Sequence, residues 1–144
     1  MRTSQLRILK LCFLASITLA ECFGNYGYAD DLDESSKEAL GETQNILLNQ
    51  NLRQSAIGQS ADALQADSQV RSIAGSIQNV EKMYQISSDV FGDIVKKSQG
   101  DPGRVEKTVD DLKTNPQALE QNMSDSSRKE IRDLSQEISK QLQK

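Results

Sequence analysis

The chain has 144 residues, with 17 basic against 21 acidic side chains, no His, no Trp and two Cys. A net charge of −4 repels nucleic acid and anionic lipid. Without imidazoles, and with thiols scarce, the commonest general bases, nucleophiles and zinc ligands are missing, which argues against catalysis and against a metal or organic cofactor.

Residues 1–29 differ from the rest. Arg2, Arg7 and Lys10 lead into the apolar run Leu11–Ala20, which Glu21 ends. That run falls well short of the roughly 18 apolar residues of a membrane-spanning helix, and a basic leader before a short apolar stretch reads as a secretory signal peptide. Gly27-Tyr28-Ala29 places small residues at the third-last and last positions of a cleavage site, so cleavage after Ala29 is expected, leaving Asp30 as the new N-terminus. The mature chain is then periplasmic or secreted, with no membrane insertion once the leader is gone. Lipidation at Cys22 would require a small residue where Glu21 stands, which disfavours a lipoprotein. Both Cys leave with the leader, so the exported chain is held by its core and helices alone. Losing Arg2, Arg7, Lys10 and Glu21 leaves 115 residues with 14 basic and 20 acidic side chains, a net charge of −6. That length suits one small domain.

Residues 30–34 form an acidic tail without the Gly-turned, spaced ligands of a calcium loop. Ser35-x-x-Glu38 is a capping box, and carboxylates favour a helix N-terminus, so a first helix is expected over 36–57. Leu40, Leu47 and Leu48 share one face of it, extended by Leu52. Gly58 is a candidate C-cap and Ser60 a candidate N-cap, so either the chain turns there or one helix runs on; a helix of more than 60 residues is rare outside coiled coils, which favours the turn.

The stretch 60–98 carries the strongest pattern. Ala63, Ala66, Val70, Ile73, Ile77, Val80, Tyr84, Ser87, Phe91 and Ile94 recur at alternating spacings of three and four, so a single long helix is expected. Asp67, Glu81 and Gln69 at the flanking positions do not form the complementary charge pattern of a zipper, while Ala74, Met83, Val90 and Val95 widen the apolar stripe. A wide stripe favours burial between neighbouring helices over a two-strand coiled coil. Lys96, Lys97 and Gly100 close this helix.

Asp101-Pro102 starts a helix over 102–113, Asn115-Pro116 another over 116–122, and Met123-Ser124 interrupts it. Ser127-x-x-Glu130 is a second capping box, opening a last helix over 127–142 with Ile131, Leu134, Ile138 and Leu142 on one face. The expectation is therefore an all-α domain over 35–144. It would be a long helical hairpin or small helical bundle, with a coiled-coil-like central helix and a short helical C-terminal segment.

No constellation in this chain carries recognisable chemistry. Ser126-x-x-Lys129 has the spacing of penicillin-recognising enzymes but lacks their companion motifs. Asp110-Asp111, and Asp89 with Asp93, fall at solvent-facing positions, and Asp93 with Lys97 looks like a surface helix pair. Met123-Ser124-x-x-Ser127 with Ile131-x-x-Leu134 resembles the Leu-Thr-x-x-Gln segment of the Spy/CpxP type of periplasmic chaperone. Met123, Ser124 and Ser127 stand where that family carries other residues, and the simpler reading makes Met123 and Ile131 core contacts. No small-molecule substrate is evident.

The functional expectation is protein–protein interaction, structural or adaptor-like, with a protein partner or a second copy. The alternatives are a client-binding chaperone or a small acidic inhibitor or immunity-type protein. Tyr84, Phe91 and Ile94 are the candidate interaction surface, since these rings are the mature chain's only aromatics. Their place on the stripe equally suits core packing.

Overall fold

The computed structural model describes residues 34–115 and 117–141, and these contain seven helices and no strand. They are α1 (Glu34–Leu48), α2 (Gln50–Ile57), α3 (Ala61–Ala74), α4 (Ile77–Lys97), α5 (Pro102–Thr114), α6 (Gln117–Asn122) and α7 (Asp125–Gln141). The fold is thus the all-α helical bundle that the 3.6-residue periodicity implies. The leader, its cleavage site, Cys22 and most of the acidic tail lie outside the described residues.

Helix α4 is the axis of the bundle. Val80, Met83, Ile86, Val90, Phe91, Ile94 and Val95 are all buried, together with Asn79, Ser87 and Ser88, which leaves a strip through Lys82, Gln85 and Asp89 open to solvent. A helix buried over so wide a face must have neighbours on several sides, and α1, α3, α5, α6 and α7 all pack on it. From α7, Ile131, Leu134 and Ile138 join the same core, with Met123 just before that helix. Helix α1 comes in over small residues. Gln44 Nε2 would stand 3.1 Å from a Cβ placed on Gly92, and it donates to the Ser88 carbonyl (3.4 Å).

Two expected helices are broken. The stretch expected to run unbroken over 60–98 is split at Gly75, which adopts a left-handed conformation (φ +69°) and caps α3, with its N–H donating to the Arg71 carbonyl. Ser76 then turns extended, and its hydroxyl accepts the Asn79 N–H (3.2 Å) to start α4. The chain folds back on itself here. The Tyr84 hydroxyl lies 2.7 Å from the Asp67 carboxylate, whereas residues 17 apart on one straight helix would be about 25 Å apart.

The helix expected over 36–57 is interrupted at Asn49, whose extended backbone and side chain cap α2 by accepting the N–H groups of Asn51 and Leu52. Leu47 is buried, but Leu48 and Leu52 are exposed, contrary to the face expected for them. One residue of helix is a rotation of about 100°, so Leu48 cannot share the inward direction of Leu47.

Other signals held. Ser60 caps α3, Asp101 caps α5 with Pro102 in its first turn, and Gly100 is left-handed (φ +72°). Gly58 caps α2 in the ordinary right-handed conformation. The last helix begins at Asp125, not 127.

Candidate functional site

The most concentrated chemistry sits where α1, α2, α3 and α4 meet. Arg53, on α2, is fully buried (0 % exposed). Its guanidinium donates to the Leu47 carbonyl at the end of α1 and pairs with Glu81 of α4. It also lies over the Tyr84 ring, with its central carbon 4.1 Å from the ring centre. A buried cation over an aromatic face gains from the ring quadrupole while two oxygens satisfy part of its fork. Tyr84 passes the connection on, donating to Asp67 Oδ1, while Asp67 Oδ2 accepts from Arg71 Nε (2.7 Å). Glu81, Arg53, Tyr84, Asp67 and Arg71 thus form one chain of charges and hydrogen bonds through three helices.

The electrostatics follow from this packing. Burial pushes the Tyr84 phenol well above its ordinary value of 10.0, and its bond to the Asp67 carboxylate adds to the shift. The hydrogen bond to Asp67 raises Arg71 as well, against a smaller burial effect. The Tyr84 hydroxyl is therefore a fixed donor, not a phenolate at neutral pH.

A second buried polar group, Asn79, braces the other break. Its Nδ2 donates to the Ala74 carbonyl (2.9 Å) and to Gln141 Oε1 (2.9 Å), tying the end of α3 to the end of α7.

A third arrangement corrects the reading of Asp93 as a solvent-facing partner of Lys97. Asp93 Oδ2 accepts the Ser124 N–H (2.9 Å) and the Ser127 hydroxyl (2.8 Å), so it docks the start of α7 onto α4. Burial alone would raise its pKa, but the hydrogen bonds from Ser124 and Ser127 and the nearby Lys96 outweigh it and hold the carboxyl below its usual 3.8. Lys97 instead donates to the Gln121 carbonyl. The capping role expected of Ser127 belongs to Ser124, whose hydroxyl accepts the Ser127 N–H (3.2 Å), and Glu130 accepts from Ser126.

Tyr84, Phe91 and Ile94 are all buried, so in the folded chain they are core and not an exposed interaction surface. Met123, Ile131 and Leu134 are likewise buried core contacts. Ser126 and Lys129 are exposed on α7, and the Ser126 hydroxyl is bonded to Glu130. Among the described residues no group of three or more Asp, Glu, Cys or His is placed to hold a metal ion, and no helix is long and apolar enough to cross a membrane. A shallow groove of about 220 Å³ runs between α4 and α7, with Ile86 and Leu134 among its lining and Lys82, Gln85, Glu130, Asp133 and Glu137 as its polar residues. Lys82 and Glu137 bridge it with an ion pair (2.6 Å). What these networks do chemically is hold helices to one another.

Sequence reasoning missed Arg53 and Asn79 because polar residues in amphipathic helices are usually exposed. No protein family, curated protein or solved structure matches the chain.

Proposed function

We propose that the protein is exported and acts by protein–protein contact, in a structural or adaptor-like role. The observation that carries this reading is where its unburied apolar side chains lie. Among the described residues the large hydrophobic side chains left exposed are Leu48, Leu52, Leu64 and Ile77, all between positions 48 and 77. Single exposed leucines are ordinary, but their restriction to α1–α3 and the first residue of α4 supports a contact region on that part of the bundle. The acidic exterior adds a charge preference for a neutral or basic protein partner.

The test is photo-crosslinking in the producing cell, with the reactive residue at Leu64 in one strain and at Arg132, an exposed position on α7, in another. Discrete adducts from 64 and none from 132, on a processed chain beginning at Asp30, are the expected result. Equal adducts from both positions, or an unprocessed chain retained in the cytoplasm, would overturn the proposal. The same exposed leucines favour a second reading, a client-binding chaperone. Binding of a hydrophobic dye by the native protein, competed by an unfolded client, is its expected signature.

A further inference from the structure

The break at Gly75–Ser76 divides a pattern that the sequence does not divide. Val70, Ile73, Ile77, Val80 and Tyr84 keep spacings of three, four, three and four straight through it, with no slip in register. Only the left-handed Gly75 and the extended Ser76 separate α3 from α4. Ile77 belongs to this stripe, yet at 68 % it is the most exposed large hydrophobic side chain among the described residues, and it sits directly after the hinge.

The helices before the hinge form a separable arm. Helices α1 and α3 make their main contacts outside the arm with α4, and α2 packs on α1 and α3. Asn79 with Ala74 spans the hinge itself and opens with it; away from the hinge, the polar links between arm and body converge on α4: Arg53 with Glu81 and Tyr84, Asp67 with Tyr84, Gln44 with Ser88. Each of these last links joins one residue before position 75 to one after it. All of them can therefore be remade, atom for atom, between the arm of one copy and the body of another.

We propose that this arm is exchangeable: two copies of the chain swap α1–α3 by straightening the Gly75–Ser76 hinge into one continuous helix over residues 61–97. Straightening restores the i→i−4 bonds interrupted at the hinge and gives a helix about 56 Å long. The two straightened helices cross near Ile77, so the apolar side chain stranded beside the hinge packs against its copy. A short hinge whose flanking sequence is helical in both directions is the arrangement that favours such exchange. This goes beyond the proposed partner contact, because the bonds formed between copies are the arm–body bonds of the single chain, and of the exposed apolar side chains the crossing covers Ile77.

The experiment uses the full chain. Gly75→Ala with Ser76→Ala removes both the left-handed glycine and the cap that starts α4, and light scattering on a sizing column is expected to give twice the single-chain mass. Persistence of a single-chain mass, with only a lower melting temperature, would overturn the proposal. A doubled mass could also come from surface contact, so a second measurement is needed. Arg53→Glu and Glu81→Arg each put like charges together within one chain. In a swapped pair made from one of each, both junctions regain opposite charges. Refolding the two together within the Gly75→Ala, Ser76→Ala background is expected to give mainly the mixed pair, even where either alone fails to fold. No preference for the mixed pair would overturn the exchange.

Discussion

The bundle breaks its helices in two places and by two different devices. At Asn49 one extended residue interrupts the helix: its N–H still donates to the Asn45 carbonyl and its carbonyl accepts the Arg53 N–H, while the Asn51 and Leu52 N–H groups turn to its side chain. The interruption is held by side chains, the Asn49 cap and Arg53 reaching back to the Leu47 carbonyl. At Gly75 the interruption adds a left-handed residue, and the chain reverses. In both, a buried polar side chain from the next helix satisfies a carbonyl of the helix before it, Arg53 on Leu47 and Asn79 on Ala74. The contrast shows that a kink can be written in a pair of nearby side chains, whereas this reversal uses a residue free to take positive φ.

The largest effect should come from the side chain that holds the first junction. Arg53→Ala removes a fully buried stem and leaves the Leu47 carbonyl without that donor, the Glu81 carboxylate without its cation and the Tyr84 ring uncovered. A loss of about 3 kcal/mol is expected from cavity and unpaired acceptor together, read as a fall in melting temperature. Asn49→Ala removes only a cap and should cost about 1 kcal/mol. If the two variants melt together, the junction is held by the cap and the side-chain account is wrong. Arg53→Met, which keeps the stem and gives up the charge, should fall between them.

At the second junction the backbone should dominate. Gly75→Ala forces a Cβ into the left-handed region and should cost about 1 kcal/mol, measured at dilutions where the chain is single. Gly41 gives the opposite sign. It lies in the middle of α1, exposed, with no atom within 4 Å of an added Cβ, so Gly41→Ala should stabilise by about 1 kcal/mol through helix propensity. Two identical exchanges with opposite outcomes separate conformation from composition. Equal losses at both sites would mean that the left-handed conformation carries no cost.

Much of this fold is legible in the sequence, because period and capping chemistry are local. The caps at Ser60 and Asp101, the left-handed Gly100 and the apolar faces of α4 and α7 all follow from residue spacing and side-chain type. The reversal at Gly75 is written in the same code: Gly followed by Ser is also a C-cap followed by an N-cap, as around Gly58 and Ser60. The unbroken apolar register across it points the other way, and period alone cannot choose between one helix and two. Arg53, Asp67 and Asn79 are a different matter. Each looks like an outward-facing residue of an amphipathic helix, and its partners lie 4 to 62 positions away. Asp93 is similar, since only the arrival of Ser124, just before α7, and Ser127 within it turns its surface into an interface. Long-range polar pairing has no signature in local spacing.

Tyr84 joins the two junctions, since Arg53 covers its ring and Asp67, across the Gly75 reversal, accepts its hydroxyl. Its titration should expose that coupling as a small effect. The folded phenol holds its proton above the unfolded value of 10.0 because burial and Asp67 both disfavour the phenolate. The unfolded chain therefore releases that proton first. The stabilisation is fully present below pH 10 and is lost progressively as pH rises through and beyond that value. Denaturant midpoints of the native chain should fall more steeply above pH 10 than those of Tyr84→Phe, which keeps the ring under Arg53 but has no proton to lose. Below pH 10 the Phe variant should be the weaker of the two by about 1.5 kcal/mol, the low end for a hydrogen bond to a charged group. Parallel curves above pH 10 would place the Tyr84 hydroxyl in water and dissolve the link between the junctions.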